Sequence, residues 1–280
     1  MTFHENKSFD AERALYGEDD IYLRDCSFDG PADGESALKE AGNITAERCV
    51  FNLRYPLWHC NDVRIWNSEM TENCRAALWY SNNIEIVGGK YNGIKALREC
   101  DRIFLSNISV SSPEFGWFSS NVKARDSKFV SEYFMLKAKD LDFDNIEFSG
   151  KYSFQYIENS HFEKCNFDTK DAFWHAKNVT VRDSVVKGEY LAWYSENITF
   201  ENCTIIGTQP LCYCKGLKLI NCKMIDCDLS FEKSSVEADI IGRVDSVKNP
   251  DDGYIIADDI GEIIYDTEEK LCEIKIVDKK

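Results

Sequence analysis

Proline is scarce in this chain, with five among 280 residues, and no stretch is rich in Gly, Pro and Ser. Nothing resembles a linker, so one domain is expected over residues 1–280. No apolar run is long enough to cross a bilayer, so no membrane partner is expected. The start, MTFHENKSFDAERALYG, is polar and charged and has no secretion-signal core. Positive charge is also short: 33 Lys and Arg face 49 Asp and Glu, for a net charge of −16. Nucleic acid is excluded as a partner, because neutralising phosphates needs a basic surface. An anionic polymer is disfavoured for the same reason. A Gly-rich phosphate loop, a GxSxG elbow and an HExxH pair are all missing. No segment carries a helical pattern long enough for a leucine-rich, ankyrin or tetratricopeptide repeat.

What is there is a period. Apolar residues open units of 19 residues at Ile44, Val63, Ile84, Ile103, Val122, Leu141, Val179, Ile198, Leu217 and Val236. Ser160 is the odd member, Val63 to Ile84 is a step of 21, and Ile21 opens an earlier unit 23 residues before Ile44. The second position after each opener is also apolar (Leu23, Ile65, Ile86, Leu105, Phe143, Phe200), and polar residues stand between. This period of two marks a strand with one buried face. The seventh position is apolar again, as in Phe28, Phe51, Met70, Phe129 and Phe167. Asn, Asp or Gly fills the fourth position (Asn67, Gly88, Asn107, Asp126, Asn202), and Asn or Asp precedes most openers (Asn43, Asp62, Asn83, Asn178). These residues tolerate the left-handed conformation of a sharp corner. Asn-x-Ser/Thr triplets at Asn43, Asn107, Asn178, Asn197 and Asn202 follow from a corner Asn entering a β-branched strand.

A third, aromatic run closes each unit: YPLWHC, AALWYS, FGWFSS, YSFQYI, DAFWHA, YLAWYS. Three short strands and sharp corners per unit give a parallel β-helix. Eleven coils stacked about 4.8 Å apart would make a rod roughly 50 Å long. Right-handed winding is expected, because parallel crossovers are overwhelmingly right-handed. Residues 1–20 are read as an N-terminal cap with a short helix over 9–16, residues 21–234 as the coils, and residues 235–280 as a C-terminal β cap. Twelve cysteines without a secretion signal point to reduced thiols and a cytoplasmic location. Cys26, Cys49, Cys165, Cys203 and Cys222 share the fifth position with Ser68, Ser127 and Ser184, which describes a small-residue interior ladder. The spacing of Cys212, Cys214, Cys222 and Cys227 fits no common zinc pattern, and no metal or cofactor is expected.

The functional candidates lie on the third run. If Leu191, Trp193 and Ser195 point inward, one outward column reads His59, Phe118, Lys137, Tyr156, His175, Tyr194 and Tyr213. A second reads Tyr55, Glu114, Tyr133, Tyr152, Asp171, Tyr190, Gln209 and Asp228. Tyr55, His59, Tyr156, His175, Tyr190, Tyr194 and Tyr213 could contact sugar rings. The same column is more readily read as a ladder that stiffens the coil stack, as β-helices commonly have. Asp171 and His175, four residues apart on one strand, would be separated by about 13 Å and form no direct dyad. Asp171 and Glu189 fall on neighbouring coils, with carboxyls roughly 5–9 Å apart, the separation used in glycoside hydrolysis. They are the catalytic candidates, though adjacent carboxylates also arise by chance in so acidic a chain.

The stretches YPLWHC (55–60), CRAALWY (74–80), KDAFWHAKNVTVRDS (170–184), GEYLAWYSENITFENCTI (188–205), LCYCKGLKLINCK (211–223) and VDSVKNPDDGYIIADDIGEII (244–264) resemble a bacterial family. It is the domain-of-unknown-function family numbered 3737, of the pectin-lyase-like right-handed β-helix group. The resemblance covers nearly the whole chain and implies the fold, since the family has no established activity. The wider group's lyases and hydrolases use calcium-binding aspartates with a basic residue, or clustered aspartates with a histidine. Neither set maps onto this sequence residue by residue. The functional expectation is a carbohydrate-binding or carbohydrate-processing protein with an oligosaccharide partner and, if an enzyme, a glycoside hydrolase or polysaccharide lyase-like activity. The alternative is a non-catalytic interaction module whose aromatic face docks a partner or a second copy in a homo-oligomer.

Overall fold

Openers of successive coils pair in parallel within each half of the chain. In a computed structural model describing residues 1–30, 36–266 and 271–277, Ile21 is the partner of Ile44, Ile44 of Val63, Val63 of Ile84, and Ile84 of Ile103. Further along, Ser160 pairs with Val179, Val179 with Ile198, and Leu217 with Val236. The architecture is an all-β parallel solenoid of about 14 turns with about 19 residues per turn. Among the described residues there is no helix. The chain divides into two compact units, residues 1–146 and 147–280.

In residues 1–146 the seventh-position column is the core. Phe9, Phe28 and Phe51 stack at 4.9 Å, nearly parallel, and Met70, Tyr91, Val110 and Phe129 continue the column, all buried. The corners take positive φ where Asn and Asp were expected to: Asn67 at 46°, Asn107 at 54°, Asp126 at 49°. Corner side chains also bond from coil to coil, as when Asn83 Nδ2 donates to Asp62 Oδ1 at 2.8 Å. Residues 147–280 repeat the plan. Phe154 and Phe173 stack at 5.1 Å, and Phe162 and Phe167 close around them. Asn178, Asn197, Asn202 and Asn221 each donate to the corner residue 19 positions earlier. Apolar contact supplies the driving force, and the aligned corners fix the register.

The two expected caps are coils, which is why the turns exceed eleven. Thr2–Glu5 pairs with Asp19–Arg24, with Thr2 opposite Ile21, and Ser8–Phe9 pairs with Ser27–Phe28. Residues 11–17 are turns, with no helix. This first coil has an exposed side, with Phe3 50% exposed, so its sequence reads as polar. At the other end Ser235–Lys248, Asp252–Ile264 and Glu273–Ile276 are parallel rungs. Val236 pairs with Gly253, a step of 17, which a 19-residue template passes over. Residues 267–270 and 278–280 of the expected C-terminal cap lie outside the described residues.

The fifth-position ladder is as expected. All twelve cysteines are free and buried, and burial pushes the Cys60 and Cys100 thiols up to about 12. The ladder also satisfies backbone: Cys49 N–H donates to Ser68 Oγ at 3.0 Å and Cys165 N–H to Ser184 Oγ at 2.9 Å.

The third run departs from a plain strand. It is a two-residue strand at Leu57–Trp58 and Leu78–Trp79. Elsewhere it is mostly a run of turns in which every second residue has positive φ: Asp171 at 53°, Phe173 at 60°, His175 at 56°. Non-glycine residues adopt this region at a cost of about 1 kcal/mol or more each. The neighbouring coils hold them there: Asp171 N–H donates to Glu189 O, Phe173 N–H to Ser153 O, and His175 N–H to Trp193 O. Inside and outside therefore do not alternate. Leu191, Ala192 and Ser195 are buried, Trp193 is half-buried and Tyr194 is exposed.

Candidate functional site

The third run carries its rings outward in register. In residues 147–280, Tyr156 stacks on His175 at 4.7 Å and 10°, His175 on Tyr194 at 5.1 Å and 11°, and Tyr194 on Tyr213 at 4.9 Å and 13°. Tyr156 and Tyr194 are each 44% exposed. Between neighbours the faces of the rings are covered, so the ladder shows solvent its edges. The tyrosine hydroxyls and the imidazole nitrogens of His175 therefore stand in a row one coil apart.

Beside this row runs a tryptophan pair. Trp174 and Trp193 stack at 5.6 Å and 6°. Their indole N–H groups donate to the carbonyls of Tyr190 at 2.6 Å and Gln209 at 2.8 Å, each 16 residues ahead. A buried indole N–H needs such an acceptor, and the bond fixes the ring plane. Tyr190 meets Trp193 edge-on at 5.2 Å. The structure thus gathers Tyr156, His175, Tyr190, Tyr194 and Tyr213 on one unit.

Asp171 and Glu189 join them. Asp171 does not stand on the outward face as expected: it is buried at 7% exposure, with its N–H donating to the Glu189 carbonyl. Burial raises its carboxyl above the usual range, the Lys170 ammonium opposes this, and the Glu189 charge adds to it. Lys170 Nζ pairs with Glu189 at 2.9 Å and lies 5.6 Å from the centre of the Tyr190 ring. That ion pair is about half exposed and contributes little stability. The chemical content is one carboxyl biased toward its protonated form beside one carboxylate neutralised by a lysine.

Tyr55 and His59 form their own group in residues 1–146. Tyr55 packs on Trp58 at 4.7 Å and 58°. His59 stacks on Tyr80 at 4.9 Å and 15°, and Trp58 on Trp79 at 5.3 Å and 4°. Tyr80 was overlooked in the sequence because a two-residue insertion shifts it out of the 19-residue column: Phe51 pairs with Met70 but Leu57 with Leu78. Counting back four from each opener finds it. Arg98 takes the tryptophan position one coil later, 19 residues from both Trp79 and Trp117. No group of three or more His, Cys, Asp or Glu side chains able to hold a metal occurs among the described residues. No helix among them is long and apolar enough to cross a membrane.

Comparison with known families matches residues 2–277 to the one described as "Protein of unknown function (DUF3737)". The chain belongs to this family. No curated protein matches this DUF3737 member. Among solved structures it is similar to the A-module of the mannuronan C-5 epimerase AlgE4 from Azotobacter vinelandii, with a TM-score of 0.34 and 9% identity over 98% of this chain and 87% of that one. It is also similar to the catalytic domain of an α-1,3-glucanase solved with tetrasaccharides, with a TM-score of 0.24 and 9% identity over 99% of this chain and 64% of that one. A third is the Streptococcus pneumoniae surface protein and adhesin PfbA, with a TM-score of 0.27 and 9% identity over 92% of this chain and 77% of that one.

Proposed function

We propose that the protein binds a neutral oligosaccharide along the ring ladder of residues 147–280, with Asp171 and Glu189 beside it as acid and base. The observation that carries this reading is the stacked column Tyr156–His175–Tyr194–Tyr213, with Tyr156 and Tyr194 exposed and His175 and Tyr213 half-buried. Stacked rings leave no interior face for a sugar, so the contact is made by edges. Each tyrosine hydroxyl both donates and accepts, as sugar hydroxyls do. The net charge of −16 favours a neutral chain over a polyuronate. In a processing reaction Asp171 would protonate the leaving oxygen, and Glu189, released from Lys170, would activate water or attack.

The test is calorimetric titration with neutral and acidic oligosaccharides. The double variant Tyr156→Phe/Tyr194→Phe keeps the stack and deletes two hydroxyls. Two hydrogen bonds at about 1 kcal/mol each predict roughly thirtyfold weaker binding. Unchanged affinity, or no saturable binding by the folded wild type, sinks the edge reading. Turnover unchanged by Asp171→Asn and Glu189→Gln would remove these two carboxyls from the chemistry. A second reading, a docking face for a protein or a second copy, draws on the covered ring faces and on the closed Lys170–Glu189 pair. It requires a dimeric solution mass with the tryptophans shielded from quencher.

A further inference from the structure

The outward column of residues 1–146 has a missing rung. His59 and Tyr80 stack, and the backbone register then runs on unbroken: Tyr80 N–H donates to Arg98 O at 3.0 Å and Glu99 N–H to Trp117 O at 2.9 Å. The next two positions of the column are therefore Glu99 and Phe118. A ring is absent at Glu99, and the rings of Tyr80 and Phe118 are separated by two coils, about 10 Å. An open pocket of about 540 Å³ lies at this break, lined by Arg98, Glu99, Cys100, Asp101, Phe118 and Ser120. We propose that this gap is a binding slot for a single neutral hexopyranose ring, which would complete the ladder.

The dimensions suit one ring. Rungs in this column stand 4.9 Å apart where both are present, so one inserted ring would lie about one coil spacing from Tyr80 and from Phe118. Phe118 is 39% exposed, with the Lys137 ammonium 5.8 Å from its ring centre, and the part of its ring left open is an apolar surface for the C–H side of a sugar. The polar groups match hydroxyls. Arg98 sits in the tryptophan column, its guanidinium 5.0 Å from the Trp79 ring centre and 5.5 Å from those of Trp117 and Phe118. Its Nε is buried without a hydrogen bond. The nearest Glu99 oxygen is 3.6 Å away, a charge contact too long to be a hydrogen bond. The Glu99 side chain is 45% exposed, and its carboxylate can accept two vicinal hydroxyls. Asp101 is already engaged by Ser120 and Asn121 at 2.7 Å each and serves as wall. One cation and two carboxylates line the slot, so a neutral ligand fits better than an anion.

The slot shares no residue with the ladder of residues 147–280, so the two readings stand or fall separately. The decisive variant is Glu99→Tyr, which supplies the missing ring from the protein itself. Glu99 has φ of 52°, close to the 57° of Tyr80 and 58° of Phe118, so a tyrosine is accommodated there. The probes are the methyl glycosides of glucose, galactose and mannose, followed by saturation-transfer NMR and by tryptophan fluorescence from Trp79 and Trp117. Wild type is expected to bind at least one saturably. Glu99→Tyr should abolish that binding while melting no lower than wild type. Phe118→Ala should weaken it about tenfold, the loss of one stacking face. All of these variants are made in the Tyr156→Phe/Tyr194→Phe background, so that contacts to the ladder of residues 147–280 do not contribute to the signal. Absence of saturable binding in the wild type, binding that survives Glu99→Tyr, or a preference for a flat purine over every glycoside would overturn the assignment.

Discussion

Residues 147–280 carry four outward rings in an unbroken stack, whereas residues 1–146 interrupt their own ring column with a glutamate. Yet the backbone bonds on either side of Glu99 are as short as those along the unbroken stack. The solenoid therefore does not require rings on its outer column. Coil stacking is set by backbone bonds, buried phenylalanines and corner amides, and the ring column is a surface choice laid over them.

The largest test of this contrast reaches beneath both columns. Phe134 and Phe173 are fully buried in the two units. Their alanine variants should each cost about 3–5 kcal/mol by urea unfolding, since the cores are built alike. A small loss at either site would mean that the rings above it carry the stack. Gly93 comes next. Its φ is 97°, and a Cβ there would lie 1.8 Å from the Cys74 carbonyl oxygen. Gly93→Ala should cost about 1–3 kcal/mol, seen as a lower urea midpoint at unchanged m.

The ladders themselves follow. His175→Ala removes a ring stacked on both sides and should cost about 1–3 kcal/mol. Glu99→Ala should stay within about 0.5 kcal/mol. Equal losses at the two positions would erase the distinction drawn here.

The smallest effect is in acid, and it has opposite signs in the two units. The folded-state carboxyl of Asp171 is raised above 3.8, chiefly by burial. The stability tied to its protonated form is complete below 3.8 and is lost as pH rises through the folded value. Asp171→Asn should therefore be more stable than wild type at neutral pH, and the difference should vanish below 3.8. Glu47 is lowered, first by the Tyr22 hydroxyl and further by Arg48 and Arg24, against an opposing burial effect. Its contribution is present at neutral pH and fades on acidification below 4.5. Thermal melts of Asp171→Asn and Glu47→Gln across pH 3–8 should diverge from wild type at neutral pH and converge with it in acid, from opposite sides.

Much of this was legible in the sequence. The openers, the seventh-position core, the Asn and Asp corners and the Cys/Ser rungs all appear in the 19-residue register, because stacked coils put like residues in like surroundings. The ladder from Tyr156 to Tyr213 was readable for the same reason. So was the Lys170–Glu189 pair, whose members are 19 apart. The end coils were not, because Val236 to Gly253 is a shorter step and the coil at Thr2 is exposed on one side. The backbone of the third run was hidden more deeply. Positive φ at Asp171, Phe173 and His175 is imposed by bonds to the coils above and below, and none of these side chains announces it. Without that geometry, the parity of Trp193 and the edge-on display of the ladder had no trace in composition.

The two extra residues between Met70 and Leu78 have a consequence for how such a chain can change. The insertion is absorbed within its own coil: His59 and Tyr80 still stack, and the next step, from Ile84 to Ile103, returns to 19. Length errors do not propagate here, because every coil takes its alignment afresh from the one before it. The fold thus behaves as a self-correcting lattice in which a single coil can be lengthened, trimmed or given a new surface residue, leaving the addresses of all later coils intact.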